Sequence, residues 1–495
     1  MIVPIVALDT DPEKRRHMVD LSEECLNVLN GGHFAVVEPG PLHTPIQSFS
    51  IRRDEKLRLI LETEVPPNAT SAAVVHPPGT VRMTTERVLL RNIGGVDAEL
   101  VGVIPFSLRS NTVGLAEKSR QESVQVHIAR TNYAEGGPAT YTIDWLENLP
   151  SSPFVWPASS RVVSTTRSSR AIALDDGVTI TRENERFRSS NNAAKLTVEG
   201  WTFYICALDR EDQAGAIKPG CIVFDGTPDD AFRKKVRTAL SFALGLFLVD
   251  LGTTHYDKDW HIVSTLARSA YTLGRRAFDM GPEQLAPLGP RYLNELNPAQ
   301  LNRAITALVG AFEELDLANL SWAYWHACAA TAHIAPAHFG AAIESLQNAY
   351  IKSHPGGVAE SWMPRADWKT LRTNMAAAID GATISDQAKA ALKVKLATFN
   401  TVDQRPRLKA VMTAIGLQLG GDEDAAWRRR NKAAHGTPVP EGEELAAIRD
   451  MKLLKGLFGR LLLRITNAAD QYIDYTSPNF EYRNLADAPP DIPRA

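Results

Sequence analysis

The segment from Asp422 to Gly436, Asp-Glu-Asp-Ala-Ala-Trp-Arg-Arg-Arg-Asn-Lys-Ala-Ala-His-Gly, holds the residue types best suited to chemistry. Its pattern predicts a short helix capped by Asp422 or Asp424, with Trp427 and Ala434 facing a core and with Gly436 and Pro438 as the stop. His435 then falls in the last turn. Asn431 lies four residues earlier on the same face. Arg430 is one step round the helix, with a side chain long enough to swing its guanidinium to that edge. An imidazole, an amide and a guanidinium are thus expected to converge at a helix end, with no carboxylate or cysteine among them.

That inventory suits cleavage of RNA without a metal. The 2′-hydroxyl beside a phosphodiester is a built-in nucleophile, needing a base for its proton and a cation for the charge that gathers on phosphorus. Imidazoles ordinarily titrate near pH ~6.5 and so serve as base or acid at neutral pH. A guanidinium matches phosphate oxygens with paired donors. One histidine per chain does not easily act as base and acid together. Two copies across a twofold axis supply both, so the chemistry predicts a homodimer with a composite cleft. Of the 12 histidines, only His435 has an arginine five positions before it. The same residues also read as a basic, solvated helix terminus with His435 placed favourably against the dipole.

Further cations flank the segment. Arg428, Arg429 and Lys432 adjoin it. Arg449, Lys452, Lys455, Arg460 and Arg464 form a stripe on a long amphipathic helix expected over 443–475, whose other side carries Leu445, Ile448, Leu457, Leu461 and Ile465. The stripe reads either as contacts for an RNA backbone or as the solvated side of a helix.

The 495 residues suggest two to four domains. With 44% hydrophobic and 22% charged residues the chain can build real cores. Its 57 acidic and 54 basic residues exclude a generally cationic coat, so nucleic-acid contact must be local. Cys25, Cys206, Cys221 and Cys328 form no C-x-x-C pair, which argues against a disulfide scaffold or a thiolate zinc module and reads as reduced thiols. The longest apolar run, from Ala239 to Val249, is far short of the roughly 20 residues a spanning helix needs. Met1 to Leu8 reads as a first strand rather than a secretory signal. A cytoplasmic protein with no membrane partner and no cofactor is expected.

The texture changes near residue 228. Before it, short apolar and β-branched runs such as Leu57–Thr63, Arg87–Arg91, Ser123–Ile128, Thr140–Ile143, Gly177–Thr181 and Lys195–Ala207 predict a mostly antiparallel β domain, sandwich or barrel-like, over 1–228. Residues 150–154 and the Ser/Arg-rich 159–170 read as loops. A helix from Asp229 to about Val249 and an extended piece from Thr254 to Val263 make a connector over 229–296. Helices follow at about 297–316, 319–334, 337–353, 365–379, 385–399, 404–419, 423–435 and 443–475, an all-α bundle over 297–495. The fold class is α+β multidomain.

The run RNKAAHG, from Arg430 to Gly436, resembles the R-x4-H signature of HEPN domains in its Arg-Asn variant, over about residues 297–475. The strand-rich first half, the helix Ala239–Gly245 and this C-terminal region together look like the ApeA-like group of bacterial anti-phage HEPN proteins. The resemblance implies a dimeric, metal-independent endoribonuclease of abortive-infection defence that leaves 2′,3′-cyclic phosphate ends on tRNA or mRNA. By position, Arg430 and His435 would be the catalytic pair and Asn431 the polar neighbour. An acidic residue near the site is implied on the first long helix, a place for Glu344 or Glu314. The β domain would answer a phage-derived protein or nucleic-acid trigger. The alternatives are a catalytically inactive HEPN-like module that binds RNA or a nucleotide, and a bundle that only dimerises.

Two other groups carry metal-ligand chemistry. His255, Asp257, Asp259 and His261 alternate, so on a strand they share one face and offer two imidazoles and two carboxylates; as a plain connector the piece would pack Tyr256 and Trp260 inward. His326, His333 and His338, near Trp322, Trp325 and Cys328, read as hydrogen-bonded histidines of a core helix more than as a cofactor box. No phosphate-binding glycine loop, G-x-S-x-G or H-E-x-x-H occurs.

Overall fold

The architecture comes from a computed structural model. It describes residues 24–491 apart from 72–85, 93, 95, 114–115, 134–136, 151–155, 157–161, 174–178, 191–192, 209–216, 271–272, 274–279 and 291–295. The strand expected at Met1 to Leu8 and most of the loop expected at 150–154 lie outside the described residues. The first half is antiparallel β and the second half helical. The chain divides into two compact units, 1–284 with 288–306, and 285–287 with 307–495.

In the first unit, ten strands form one antiparallel sheet. In spatial order they are Phe34–Glu38, Arg87–Asn92, Val96–Val101, Ile128–Tyr133, Ile262–Arg268, Asp250–Tyr256, Tyr141–Pro150, Ile217–Phe224, Trp201–Ala207 and Ala193–Val198. A four-stranded sheet, Ser48–Arg53, Leu59–Val65, Ala116–Val126 and Ile104–Val113, shares a core with one end of it. Ile51, Leu59, Leu61, Val124 and Val126 of the small sheet meet Val88, Leu90, Leu100, Ala129 and Ala267 of the large one. Helix α1 (Glu24–Gly31) adds Cys25, Leu26 and Leu29. Alternation of buried and more exposed residues along Arg87–Asn92 and Val96–Val101 puts one face of each into that core.

Helix α2 (Asp230–Leu244) begins at Asp229, whose carboxylate accepts from the Phe232 N–H at 2.7 Å. It ends at Gly245, at φ 69°, not at Val249. The Ser/Arg-rich stretch expected as a loop is largely strand: Val162–Ala173 pairs with Thr179–Ser190. Val162, Val163, Thr165 and Thr166 supply β propensity that the serines and arginines obscure. The piece assigned to a connector over 229–296 mostly belongs to the β unit. Asp250–Tyr256 and Ile262–Arg268 are inner strands of the large sheet, because each pairs on both edges.

Helix α3 (Pro298–Gly310) carries the chain across the division between the units. The helices after it are α4 (Leu317–Ala329), α5 (Ala335–Ser353), α6 (Arg365–Gly381), α7 (Asp386–Thr398), α8 (Gln404–Ala414), α9 (Gly421–Ala434) and α10 (Glu444–Thr466). The core is built by α4, α5, α9 and α10. Tyr324 stacks on Phe458 with centroids 4.8 Å apart and meets Phe339 edge-on at 5.9 Å. Helix α10 is shorter than expected. Asn467, at φ 57°, stops it, and a hairpin of Gln471–Asp474 and Glu481–Asn484 follows, so this half is not all-α. Asn tolerates the left-handed conformation better than other non-glycine residues, and that ends the helix nine residues early.

Candidate functional site

Helix α9 starts at Gly420, not at Asp422 or Asp424. The Glu423 carboxylate accepts from the Gly420 N–H at 3.0 Å and closes the first turn. Trp427 is fully buried, as expected, whereas Ala434 is exposed. His435 caps the helix, its N–H bonded to the Asn431 carbonyl at 3.0 Å, and Gly436 at φ 70° turns the chain away.

Arg430 points inward. Only 7% of it is exposed, and its guanidinium carbon lies 3.4 Å from the Trp427 ring centroid. Nη1 donates to the Trp427 carbonyl at 2.7 Å, and Nη2 forms a tight ion pair with Glu344 Oε1 on α5. One turn before Glu344, Gly340 gives the arginine its space, since a Cβ there would fall 2.6 Å from Arg430 Cδ. Asn431 and His435 are exposed at the helix end, and neither side chain has a hydrogen-bond partner among the described residues. Within one chain the three groups therefore do not converge as expected. The half-buried Glu344 carboxylate and the indole face hold the guanidinium inward, while Asn431 and His435 lie about 100° and 140° round the helix from it. Glu314 is exposed, so of the two candidate carboxylates only Glu344 meets the arginine.

The flanking cations are mostly matched. Arg429 makes two 2.6 Å bonds to Asp450, which hold its guanidinium above its usual pKa. Arg449 pairs with Asp422 at 2.8 Å, and Arg428 lies 3.7 Å from Asp424. Lys432 is exposed; Lys452 and Lys455 are half-buried, the latter 6.0 Å above the Tyr475 ring. The stripe itself is broken. Arg460 is fully buried against Glu423, and Arg464 donates to the Ile415 carbonyl at 2.8 Å. Leu445 and Ile448, expected on the apolar side, are exposed.

The alternating His/Asp piece is not one strand. The strand ends at Tyr256, and Asp257–Trp260 turn, with Trp260 at φ 66°. Asp257 Oδ1 accepts from the N–H groups of Asp259 and His261, both at 2.9 Å. The ligand atoms of Asp257, Asp259 and His261 lie within 4.8 Å of one another. His255 stands apart, bonded through Nδ1 to Thr142 Oγ1 at 3.1 Å. Tyr256 is buried and Trp260 stacks on Tyr141 at 4.6 Å, so both pack inward as expected, but in a hairpin of the large sheet and not in a connector. His333 and His338 are exposed rather than in a core, and His326 Nδ1 lies 2.7 Å from the Trp322 carbonyl oxygen.

Sequence reasoning missed a charged cluster under α2. Asp144, with no exposed surface, meets Arg233 at 3.3 Å, Thr253 Oγ1 at 2.8 Å and the Arg237 guanidinium. Arg237 and Arg268 each reach Asp250 at 3.3 Å, and Arg268 bonds Asp230 at 2.9 Å. Three carboxylates and three guanidinium groups leave the cluster neutral. Burial pushes the Asp250 carboxyl up, whereas at Asp230 the pull of Arg268, Arg237 and Arg233 outweighs burial and lowers it. The one legible signal was Arg233 and Arg237 at helical spacing; nothing in the linear chain pairs them with Asp144.

Among the described residues no helix is long and apolar enough to cross a membrane. No known protein family, curated protein or solved structure matches the chain.

Proposed function

We propose that the helical unit is a metal-independent endoribonuclease of HEPN type, acting in anti-phage defence as a homodimer in which each chain contributes Arg430, Asn431 and His435. The observation that carries this reading is the Glu344–Arg430 ion pair, which puts an acidic side chain from the long helix α5 beside the motif arginine. An exposed imidazole at a helix C-terminus is accessible to a ribose 2′-hydroxyl. In the cleavage step one imidazole takes the 2′-hydroxyl proton and the oxygen attacks phosphorus. A second imidazole protonates the departing 5′-oxygen, leaving a 2′,3′-cyclic phosphate. For Arg430 to bind the phosphate, its guanidinium must exchange the Glu344 carboxylate for phosphate oxygens. The isolated chain is thus a resting form, and dimer assembly or a phage-derived trigger acting through the β unit would release it.

The second reading, a catalytically inactive HEPN-like module that binds RNA or a nucleotide or only dimerises, is favoured by the burial of Arg430 and by its stack on Trp427. Purified chain incubated with labelled tRNA and mRNA, with the products checked for cyclic phosphate ends, separates the two. Cleavage that His435→Ala abolishes supports the nuclease. RNA binding that survives His435→Ala, with no cleavage by either protein under any trigger, removes it.

A further inference from the structure

Cys206 and Cys221 stand directly opposite each other on the neighbouring antiparallel strands Trp201–Ala207 and Ile217–Phe224. Both are fully buried. Leu208 N–H donates to the Pro219 carbonyl at 2.8 Å, and Asp225 N–H to the Thr202 carbonyl at 2.9 Å. Ladder alternation therefore makes Cys206 and Cys221 a hydrogen-bonded pair, whose Cα atoms stand about 5.5 Å apart. That separation falls inside the range a disulfide spans, and the two side chains share one face of the sheet. The same row continues through Ala193 on one side and Trp145 on the other, so the thiols are enclosed between an alanine and an indole. The Cys221 thiol is held well above its usual pKa by its hydrogen bond to Cys206 and by burial, which keeps that thiol protonated at rest.

We propose that Cys206 and Cys221 are a redox-active dithiol that a low-molecular-weight disulfide, such as oxidised glutathione, converts to a cross-strand disulfide clamping the sheet edge. Ala193–Val198 is the edge strand, and it joins Trp201–Ala207 through a two-residue turn, Glu199 at φ 48° and Gly200 at φ 82°. Opening of this edge hairpin admits the oxidant. One cysteine thiolate attacks the small disulfide, forming a mixed disulfide and releasing one small thiolate. The second cysteine thiolate then attacks the protein sulfur of the mixed disulfide and expels the second small thiolate. The protein loses two electrons and two protons, and two small thiols form. Opposite Cβ atoms in a sheet sit about 5 Å apart, against roughly 4 Å across a disulfide, so the closed bridge is drawn in and is readily reduced again. The bridge joins the edge hairpin to the next strand of the sheet.

The test equilibrates the folded full-length chain in glutathione buffers of graded poise, quenches with acid, alkylates, and maps the cysteines by mass spectrometry. The expected result is that Cys206 and Cys221 leave the alkylated pool together and appear as one linked peptide pair, reversed by dithiothreitol. Cys328→Ser should leave this unchanged, and Cys206→Ser should remove the linked pair. Amide exchange over 193–207 should slow about tenfold or more on oxidation, since the hairpin no longer opens alone. Full alkylation of both cysteines at every poise in the folded chain, separate glutathione adducts, or a bridge that forms only in denaturant overturns the proposal. Unchanged exchange in the bridged form overturns the clamp.

Discussion

Arg460 and Glu423 form a completely buried ion pair: Arg460 Nη1 bonds both carboxylate oxygens, at 2.7 and 2.8 Å. The rest of the guanidinium donates to the carbonyls of Gln418 at 2.9 Å and Leu485 at 3.0 Å, and it lies over the Tyr472 ring. One arginine thus fastens α10 to the start of α9 and to the chain after the C-terminal hairpin. Glu423 does double duty, because the same carboxylate caps α9 through the Gly420 N–H. Burial pushes the Glu423 carboxyl up against the opposing pull of Arg460.

Removing one partner leaves the other charge buried alone. Arg460→Ala or Glu423→Ala should each cost about 3–5 kcal/mol, whereas Arg460→Met with Glu423→Leu should cost less than either single change. Urea unfolding followed by far-UV circular dichroism measures all three. A double variant as destabilised as the sum of the singles would show that the two side chains are not coupled.

The pair also explains what the sequence concealed. Arg449, Lys452, Lys455, Arg460 and Arg464 look alike in a linear reading, yet only packing tells that Arg460 is core and that Asp422 matches Arg449. Strand and helix content was legible because apolar periodicity is local. The β unit's annexation of Asp250–Tyr256 and Ile262–Arg268 was not, because sheet order is set by pairings more than a hundred residues apart, such as Asp144 with Thr253. At the candidate site, the helix and its histidine end were readable from Trp427, Gly436 and the acidic first turn. The direction of Arg430 was not, because Glu344 and Gly340 decide it from another helix.

If the helical unit cuts RNA, His435→Ala should reduce cleavage by about 10²–10⁴-fold and leave the melting temperature unchanged, because the imidazole is exposed. Arg430→Lys should also abolish cleavage, but with a loss of stability of about 1–3 kcal/mol, since an ammonium lacks the planar face that covers Trp427 and the second donor that reaches its carbonyl. Single-turnover cleavage and thermal melting on the same preparations distinguish the two losses. Equal stability effects at 430 and 435 would contradict the inward and outward placement of the two residues.

Gly252 sits opposite Trp145 in the large sheet at φ 147°, and a Cβ there would lie 1.9 Å from the Leu266 carbonyl oxygen. Backbone cannot yield as a side-chain tip can. Gly252→Ala should therefore destabilise the β unit by about 3 kcal/mol or more, while Gly200→Ala, with open space around it, should cost less. Tryptophan fluorescence during urea unfolding reads both, and the ranking fails if the two variants unfold at the same midpoint.

His255 ties the β unit's stability to pH. Burial and the neighbouring Arg233 guanidinium hold its imidazole below the ordinary value of 6.5, against a smaller opposing pull from Asp144. In the unfolded chain the ring takes up a proton as pH falls through about 6.5, whereas the folded ring stays neutral until a lower pH. In that window the unfolded state holds more protons, so stability falls as pH falls, by at most about 1.4 kcal/mol per pH unit for one group. At neutral pH the full stability is present. Comparing His255→Gln with the parent chain isolates this contribution, because every other ionisable group is common to both. Unfolding free energies at pH 7.5, 6.5 and 5.5 should decline more steeply for the parent than for the variant. Parallel declines would mean that the half-buried ring charges as readily as a free one, and that the Arg233 guanidinium does not reach it.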